Sequence, residues 1–168
     1  MPALVMPPDV EAVLREFRTC EFTTVNRAGQ PLTWPTEFYY DAPEGRLIVT
    51  ASIAFPVKTY NARRHPQVAL LFSDPTGAEV SHPPAVLVQG DATVAELTDD
   101  PLWTYDLLRV TVHRQPRTRE FLRNPLARSL FEFYFQRIAI YVQPRRILVW
   151  PGGDFSAPPT TLELAYRQ

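Results

Sequence analysis

Hydrophobic and polar positions change period several times along the chain. Val10, Val13, Leu14 and Phe17 recur at helical spacing behind Pro7 and Pro8, with Glu11 and Arg15 between them, which predicts a short amphipathic helix. The period then drops to two. Residues 20–26 and 32–40 read as strands joined through Arg27-Ala28-Gly29-Gln30-Pro31, and residues 41–45 turn again into an apolar strand over 46–50. Residues 55–64 return to helical spacing, with Pro56 suited to a first turn and Pro66 as the stop. The run Val68-Ala69-Leu70-Leu71-Phe72 predicts a strand covered on both faces over 67–73. An exposed loop bearing Pro and Gly, residues 74–84, leads to a strand over 85–95. There Val86, Val88, Ala92 and Val94 take one face, and Gln89, Asp91 and Thr93 the other. Gly90 interrupts it and marks a bulge or the close approach of a backbone or ligand.

Further along, Asp99, Asp100 and Pro101 open a helix that Pro116 closes, and a second helix is predicted over 117–133. Strands over 134–142 and 146–150 precede a polar, Pro-rich tail. The sum is a mainly β fold with marginal α: about six antiparallel strands in a Greek-key barrel, with helices at its margins. With no repeat, linker or low-complexity segment in 168 residues, a single domain spanning 1–168 is expected.

Charge narrows the partners. The 17 basic residues face 18 acidic ones, so no net basic field exists to hold nucleic acid or an anionic membrane. Residues 1–10 lack the pattern of a secretory signal, and no apolar run approaches the ~20 residues of a membrane helix. Cys20, the single cysteine, can form no intrachain disulfide and is expected to be buried packing in a reducing, cytoplasmic compartment. His65, His82 and His113 are scattered without ligand spacing, so no metal site is expected. Neither a Gly-x-Ser-x-Gly elbow nor a Walker loop occurs.

Of the 17 basic residues 16 are arginine, and Lys58 is the sole lysine. It stands one turn into the helix after Thr50-Ala51-Ser52. Hydroxyls at a strand end, a helix N-terminus and an ammonium group make an anion pocket; the alternative is a solvated connection. Pro35 in mid-strand predicts an edge or bulge, where backbone groups are left for a ligand. Residues 109–146 hold nine arginines against Glu120 and Glu132, read either as solvated helix faces or as a site for phosphate or carboxylate groups.

Three stretches, Thr24-Val25-Asn26-Arg27-Ala28-Gly29-Gln30-Pro31, Leu47-Ile48-Val49-Thr50, and Lys58-Thr59-Tyr60-Asn61 on through His65-Pro66-Gln67-Val68-Ala69-Leu70, carry a resemblance. With Val88-Gln89-Gly90-Asp91-Ala92 they resemble the pyridoxamine 5'-phosphate oxidase-like family of FMN-binding split barrels. The resemblance implies a homodimer with flavin at the subunit interface and oxidoreductase chemistry on a small organic substrate. It implies that Thr50, Ser52 and Lys58 hold the ribityl phosphate, with Ala51 among the cofactor-binding residues and Asn61 lining the same pocket. Trp34, Pro35 and Thr36 would meet the isoalloxazine edge, Gln89 would reach it from the second subunit, and Trp150 would cap the pocket or anchor the C-terminal tail. It names no catalytic acid or base. Relatives bind a deazaflavin or haem instead, so a deazaflavin-dependent reductase and a non-catalytic flavin- or haem-binding protein are the alternatives. The chain departs from the family pattern at Val57, where an arginine often precedes the lysine. It also lacks the C-terminal Arg and His arrangement of the enzymes that act on vitamin B6.

Overall fold

In the computed structural model, residues 4–95 and 137–166 are described. Helix α1 (Pro8–Glu16) starts with proline in its first turn, where a missing N–H costs nothing. Asp9 and Glu11 lie at its positive end and Arg15 at its negative end. Its buried side, Val10, Val13 and Leu14, continues into Phe17 and enters the core.

The strands are β1 (Leu4–Val5), β2 (Cys20–Val25), β3 (Pro31–Thr36), β4 (Phe38–Asp41), β5 (Arg46–Ser52), β6 (Gln67–Phe72), β7 (Ala85–Val94), β8 (Arg137–Trp150), β9 (Thr160–Leu162) and β10 (Ala165–Tyr166). The main sheet runs β3-β2-β6-β7-β8-β5-β4, with β9 on β8, while β1 and β10 form a separate pair. All of these pairings are antiparallel. The first and last strands of that path, β3 and β4, follow one another through Glu37, so the sheet curls into a split barrel. Inside it, Phe22, Leu47, Leu70, Phe72, Val86, Val88, Ile140 and Ile147 are fully buried, and Phe38 meets Phe72 edge to face at 4.7 Å.

Helix α2 (Val57–Arg64) follows β5 and packs on β2, β7 and β8. The turn between β2 and β3 is fixed by Asn26, whose side-chain oxygen accepts from the backbone N–H groups of Ala28 and Gln30, both at 2.9 Å. Gly29 sits there at φ 79, in the left-handed region.

Three expectations are revised. Residues 32–40 are not one strand: they divide at Glu37, the first part pairing with β2 and the second with β5. Conversely, the strands predicted over 134–142 and 146–150 are one strand from Arg137 onward, which passes straight through Pro144. That proline is tolerated because the ladder breaks there. Gln89 pairs with Arg146 and Gly90 with Pro144, leaving Arg145 as the extra, bulged residue, ion-paired to Asp91. A Cβ on Gly90 would lie 2.4 Å from the Gln143 carbonyl oxygen, so the close approach expected at this glycine is that of a neighbouring backbone. Third, the polar, Pro-rich tail, to which the sequence pattern assigns no strand, contributes β9 and β10.

Pro35 does lie on an edge strand, Cys20 is buried, and β7 alternates as expected. The 74–84 loop is held down: Ala78 and Val80 pack on the core, and Gly77 lies against the Arg18 guanidinium. The predicted helices between β7 and β8 lie outside the described residues, as do His113 and, of the arginines in 109–146, all but Arg137, Arg145 and Arg146. No helix among the described residues is long and apolar enough to cross a membrane.

Candidate functional site

Strand β5 alternates Leu47, Val49 and Ala51 on one face with Ile48, Thr50 and Ser52 on the other. Both faces are buried: Thr50 is 9% and Ser52 4% exposed, so two hydroxyls are withdrawn from water at the end of this strand. Ala51 turns its methyl to the opposite face, which leaves its backbone, paired with Ile138, as its share in any site. The chain then bends, with the Ser52 Oγ accepting from the Ala54 N–H at 3.2 Å, and enters α2 behind Pro56.

Lys58, in the first turn of α2, is half-buried and donates from Nζ to the Thr36 Oγ1 at 2.9 Å. Thr36 is itself 8% exposed. Burial is the main cause that pulls the Lys58 ammonium below its usual range. The charge of Arg137 pulls it further in the same direction, and Cys20, the strand partner of Thr36, opposes them. Arg137 stands directly across the β5–β8 ladder from Ser52. The structure thus gathers Thr36, Thr50, Ser52 and Lys58 around one corner, where the end of β3 meets the end of β5. Beside Lys58, Thr59 is 1% exposed, and its Oγ1 is a buried side-chain oxygen with no hydrogen-bond partner. Buried polar atoms are nearly always paired, so an orphan hydroxyl next to the lysine suits a site that takes a polar ligand.

Asn61 faces inward. Its Nδ2 donates to the Thr24 Oγ1 at 3.1 Å, and both residues are buried, so this contact braces α2 against the barrel. Asn61 also lines an open cleft of about 400 Å³, between Asn26, Arg27 and Ala28 of the β2–β3 turn and Val57, Tyr60 and Arg64 of α2. Trp34 is half-buried and Pro35 exposed; β3 pairs with β2 alone among the described strands.

Gln89 and Trp150 are not brought to this corner within one chain. Gln89 is exposed and opposite Arg146, nine residues along β8 from Arg137, or about 30 Å at ~3.3 Å per residue. Trp150 ends β8 farther still and packs against Phe155 at 5.2 Å between ring centroids. Arg137 is the residue that sequence reasoning passed over as an individual. It was one of nine arginines in a basic stretch, and only the strand register distinguishes it.

The corner holds an ammonium and three buried hydroxyls, with the unpartnered Thr59 hydroxyl on the adjacent residue of α2, and no group of three or more His, Cys, Asp or Glu side chains placed to hold a metal ion exists among the described residues. Such a set fits the phosphate and polar chain of a flavin mononucleotide better than a metal ion.

Known proteins share the architecture. A conserved hypothetical protein from Mycobacterium tuberculosis is 18% identical, with 96% of this chain and 94% of that one covered, at a TM-score of 0.60. An F420 reductase is 21% identical over 84% of this chain and 98% of that one, at 0.55. HutZ, the haem storage protein of Vibrio cholerae, is 18% identical over 85% and 93%, at 0.56. None of the curated proteins matches the sequence. The sequence profile of the family described as pyridoxamine 5'-phosphate oxidase matches residues 6–139, well over half of the chain. By that match and by its curled antiparallel barrel, the chain belongs to the pyridoxamine 5'-phosphate oxidase family.

Proposed function

We propose that this protein binds FMN noncovalently and acts as an oxidoreductase on a small organic substrate. The observation that carries the reading is the corner where the chain's sole lysine reaches the Thr36 hydroxyl at 2.9 Å beside the buried Thr50 and Ser52. A half-buried ammonium with hydroxyl neighbours is costly to keep without an anion, and a phosphate supplies one. In this reading Thr50, Ser52 and Lys58 hold the phosphate, and Asn61 keeps α2 seated so that Lys58 stays in place. The unpaired side of β3, at Trp34, Pro35 and Thr36, offers backbone donors and acceptors to the ring edge. When bound, the flavin supplies hydride or electron-pair transfer, and the chain holds the ring and excludes water from it. The functional unit is a homodimer with a flavin at each interface, which gives Gln89 and Trp150 a route to the ring from the second copy. A buried single cysteine suits work in the cytoplasm.

The second reading is a deazaflavin-dependent reductase, supported by the likeness to the F420 reductase. Haem fits less well, because of the histidines among the described residues His65 is half-buried at the C-terminal cap of α2, the opposite end of the helix from Lys58, and His82 is exposed in the 74–84 loop. The test is a visible spectrum of the purified protein, followed by titration with FMN, deazaflavin and haemin. Saturable FMN binding that weakens at least tenfold in Lys58→Ala supports the reading. Preference for the deazaflavin moves it to the second one, a Soret band to haem storage, and binding of none of the three removes all of them.

A further inference from the structure

We propose that the open cleft between the β2–β3 turn and α2 is a second binding site, for a small aromatic acid: a planar ring that carries a carboxylate or phosphate. It is separate from the corner at Lys58 and does not depend on the flavin reading. Lys58 reaches Thr36, the strand partner of Cys20, whereas the cleft adjoins the turn beyond Val25, five residues along β2 or roughly 17 Å away.

The first observation is that α2 is inverted. A helix on a protein surface normally buries apolar side chains and exposes polar ones. This one buries Thr59, Asn61 and Ala62, while Val57 is 50% and Tyr60 56% exposed. Val57, Tyr60, Asn61 and Arg64 stand at i, i+3, i+4 and i+7, so they form one stripe, and all four line the cleft. An exposed ring and a branched aliphatic side chain thus face an opening of about 400 Å³, within the usual size of small-molecule pockets.

The second observation is charge. Arg64 borders the cleft from the helix and Arg27 from the turn, and among the described residues neither guanidinium has a hydrogen bond or ion pair. Residues 22–36 and 53–73, which include both walls, contain no Asp or Glu. Two free guanidinium forks beside an aromatic face match an anionic group attached to a flat ring: the forks take the oxygens and Tyr60 takes the ring. A second copy of the chain is a poorer occupant, because a two-fold contact through this face would bring the same acid-free, basic walls against each other.

The test is calorimetric titration of the full chain with naphthoate, naphthyl phosphate, the neutral naphthamide and the non-aromatic cyclohexanecarboxylate. Saturable binding of naphthoate or naphthyl phosphate is expected, the tighter of the two naming the anion, with naphthamide and cyclohexanecarboxylate several-fold weaker. Arg27→Gln and Arg64→Gln should each weaken the anion roughly fivefold, as for an exposed charge pair. Tyr60→Ala should weaken it similarly and Tyr60→Phe restore it, while Lys58→Ala leaves it unchanged. Arg27, Tyr60 and Arg64 are exposed, so these variants are expected to melt with the wild type. Absence of saturation by about 1 mM overturns the proposal, as does equal binding of acid and amide or of aromatic and aliphatic acids. Binding lost in Lys58→Ala but kept in both arginine variants places the ligand at the corner and overturns it too. So does self-association that Tyr60→Ala abolishes, since the cleft would then be covered by a second copy.

Discussion

Replacing Gly90 with alanine tests the bulge that lets β8 run unbroken from Arg137 to Trp150. The added methyl would lie 2.4 Å from the Gln143 carbonyl oxygen and 3.0 Å from both the Gln143 carbonyl carbon and the Val142 Cγ1. Two of those three atoms are backbone. They belong to a strand pinned by β7 on one side and β5 on the other, so rotation of a side chain cannot relieve the contact. Forcing an extra methyl into such a site costs about 1–3 kcal/mol, and the rigidity of the obstruction argues for the upper end. Alanine returns about 0.4–1 kcal/mol by restricting the unfolded chain. The net loss is then about 2 kcal/mol, and for a chain of this size it lowers Tm by roughly 4–8 °C. Urea denaturation and thermal melting monitored by circular dichroism measure both quantities. A Gly90→Ala protein that melts within 1 °C of wild type, with an unchanged urea midpoint, refutes the reasoning: the β7–β8 approach would have to be looser than described.

Other outcomes follow from the same geometry. Asn61→Ala leaves the buried Thr24 hydroxyl without its donor and is expected to cost about 1–3 kcal/mol, whereas combining it with Thr24→Val recovers part of that loss; strict additivity in the double-mutant cycle would show that the two side chains do not interact. Lys58 has a lower pKa in the folded chain than in the unfolded one, so between the folded value and about 10.5 the unfolded state binds more protons and stability rises with pH. In the absence of ligand, wild type should therefore gain on Lys58→Met as pH is raised from neutrality toward 10.5, measured by urea midpoints at several pH values; a gap that stays constant or moves the other way contradicts the burial of the ammonium. Phe72→Ala removes a fully buried ring that packs edge to face on Phe38, with an expected loss of about 3–5 kcal/mol; a melting point close to wild type would mean the core is not packed around it.

What could be read from the sequence was what local chemistry decides. Pro35 announced an edge because a proline cannot serve a ladder on both sides, and Val86, Val88 and Ala92 announced the buried face of β7 by period alone. The location of Lys58, Ser52 and Thr50 near a strand-to-helix junction was likewise a matter of short spacing. What escaped was set by partners distant in the chain. The apolar alternation through 32–40 carries no mark of the change from β2 to β5 at Glu37, because either neighbour accepts the same pattern. Pro144 looks like a terminator until Gly90 is known to face it across a bulge. Asn61 reads as a pocket residue and does line the open cleft, but its contact with Thr24, 37 residues away, has no mark in the sequence. Arg137 is indistinguishable from its neighbours in composition, since what sets it apart is Ser52 on the facing strand.

The pairing of β5 with β8 also bears on the order in which the molecule assembles. Ser52 and Arg137 stand roughly 85 residues apart, and contacts of such long range must overcome the entropy of closing the loop between them before they are rewarded. The hairpin of β2 and β3 and the short reversal from β4 to β5 face no comparable barrier, so they can form while β8 is still absent. Ligand capture at the corner then becomes a late event in refolding: in stopped-flow experiments, flavin quenching should trail the far-ultraviolet signal of the sheet, and simultaneous traces would argue against that sequence of events. If FMN binds at this corner as proposed, a newly made chain would acquire it only once β8 has docked.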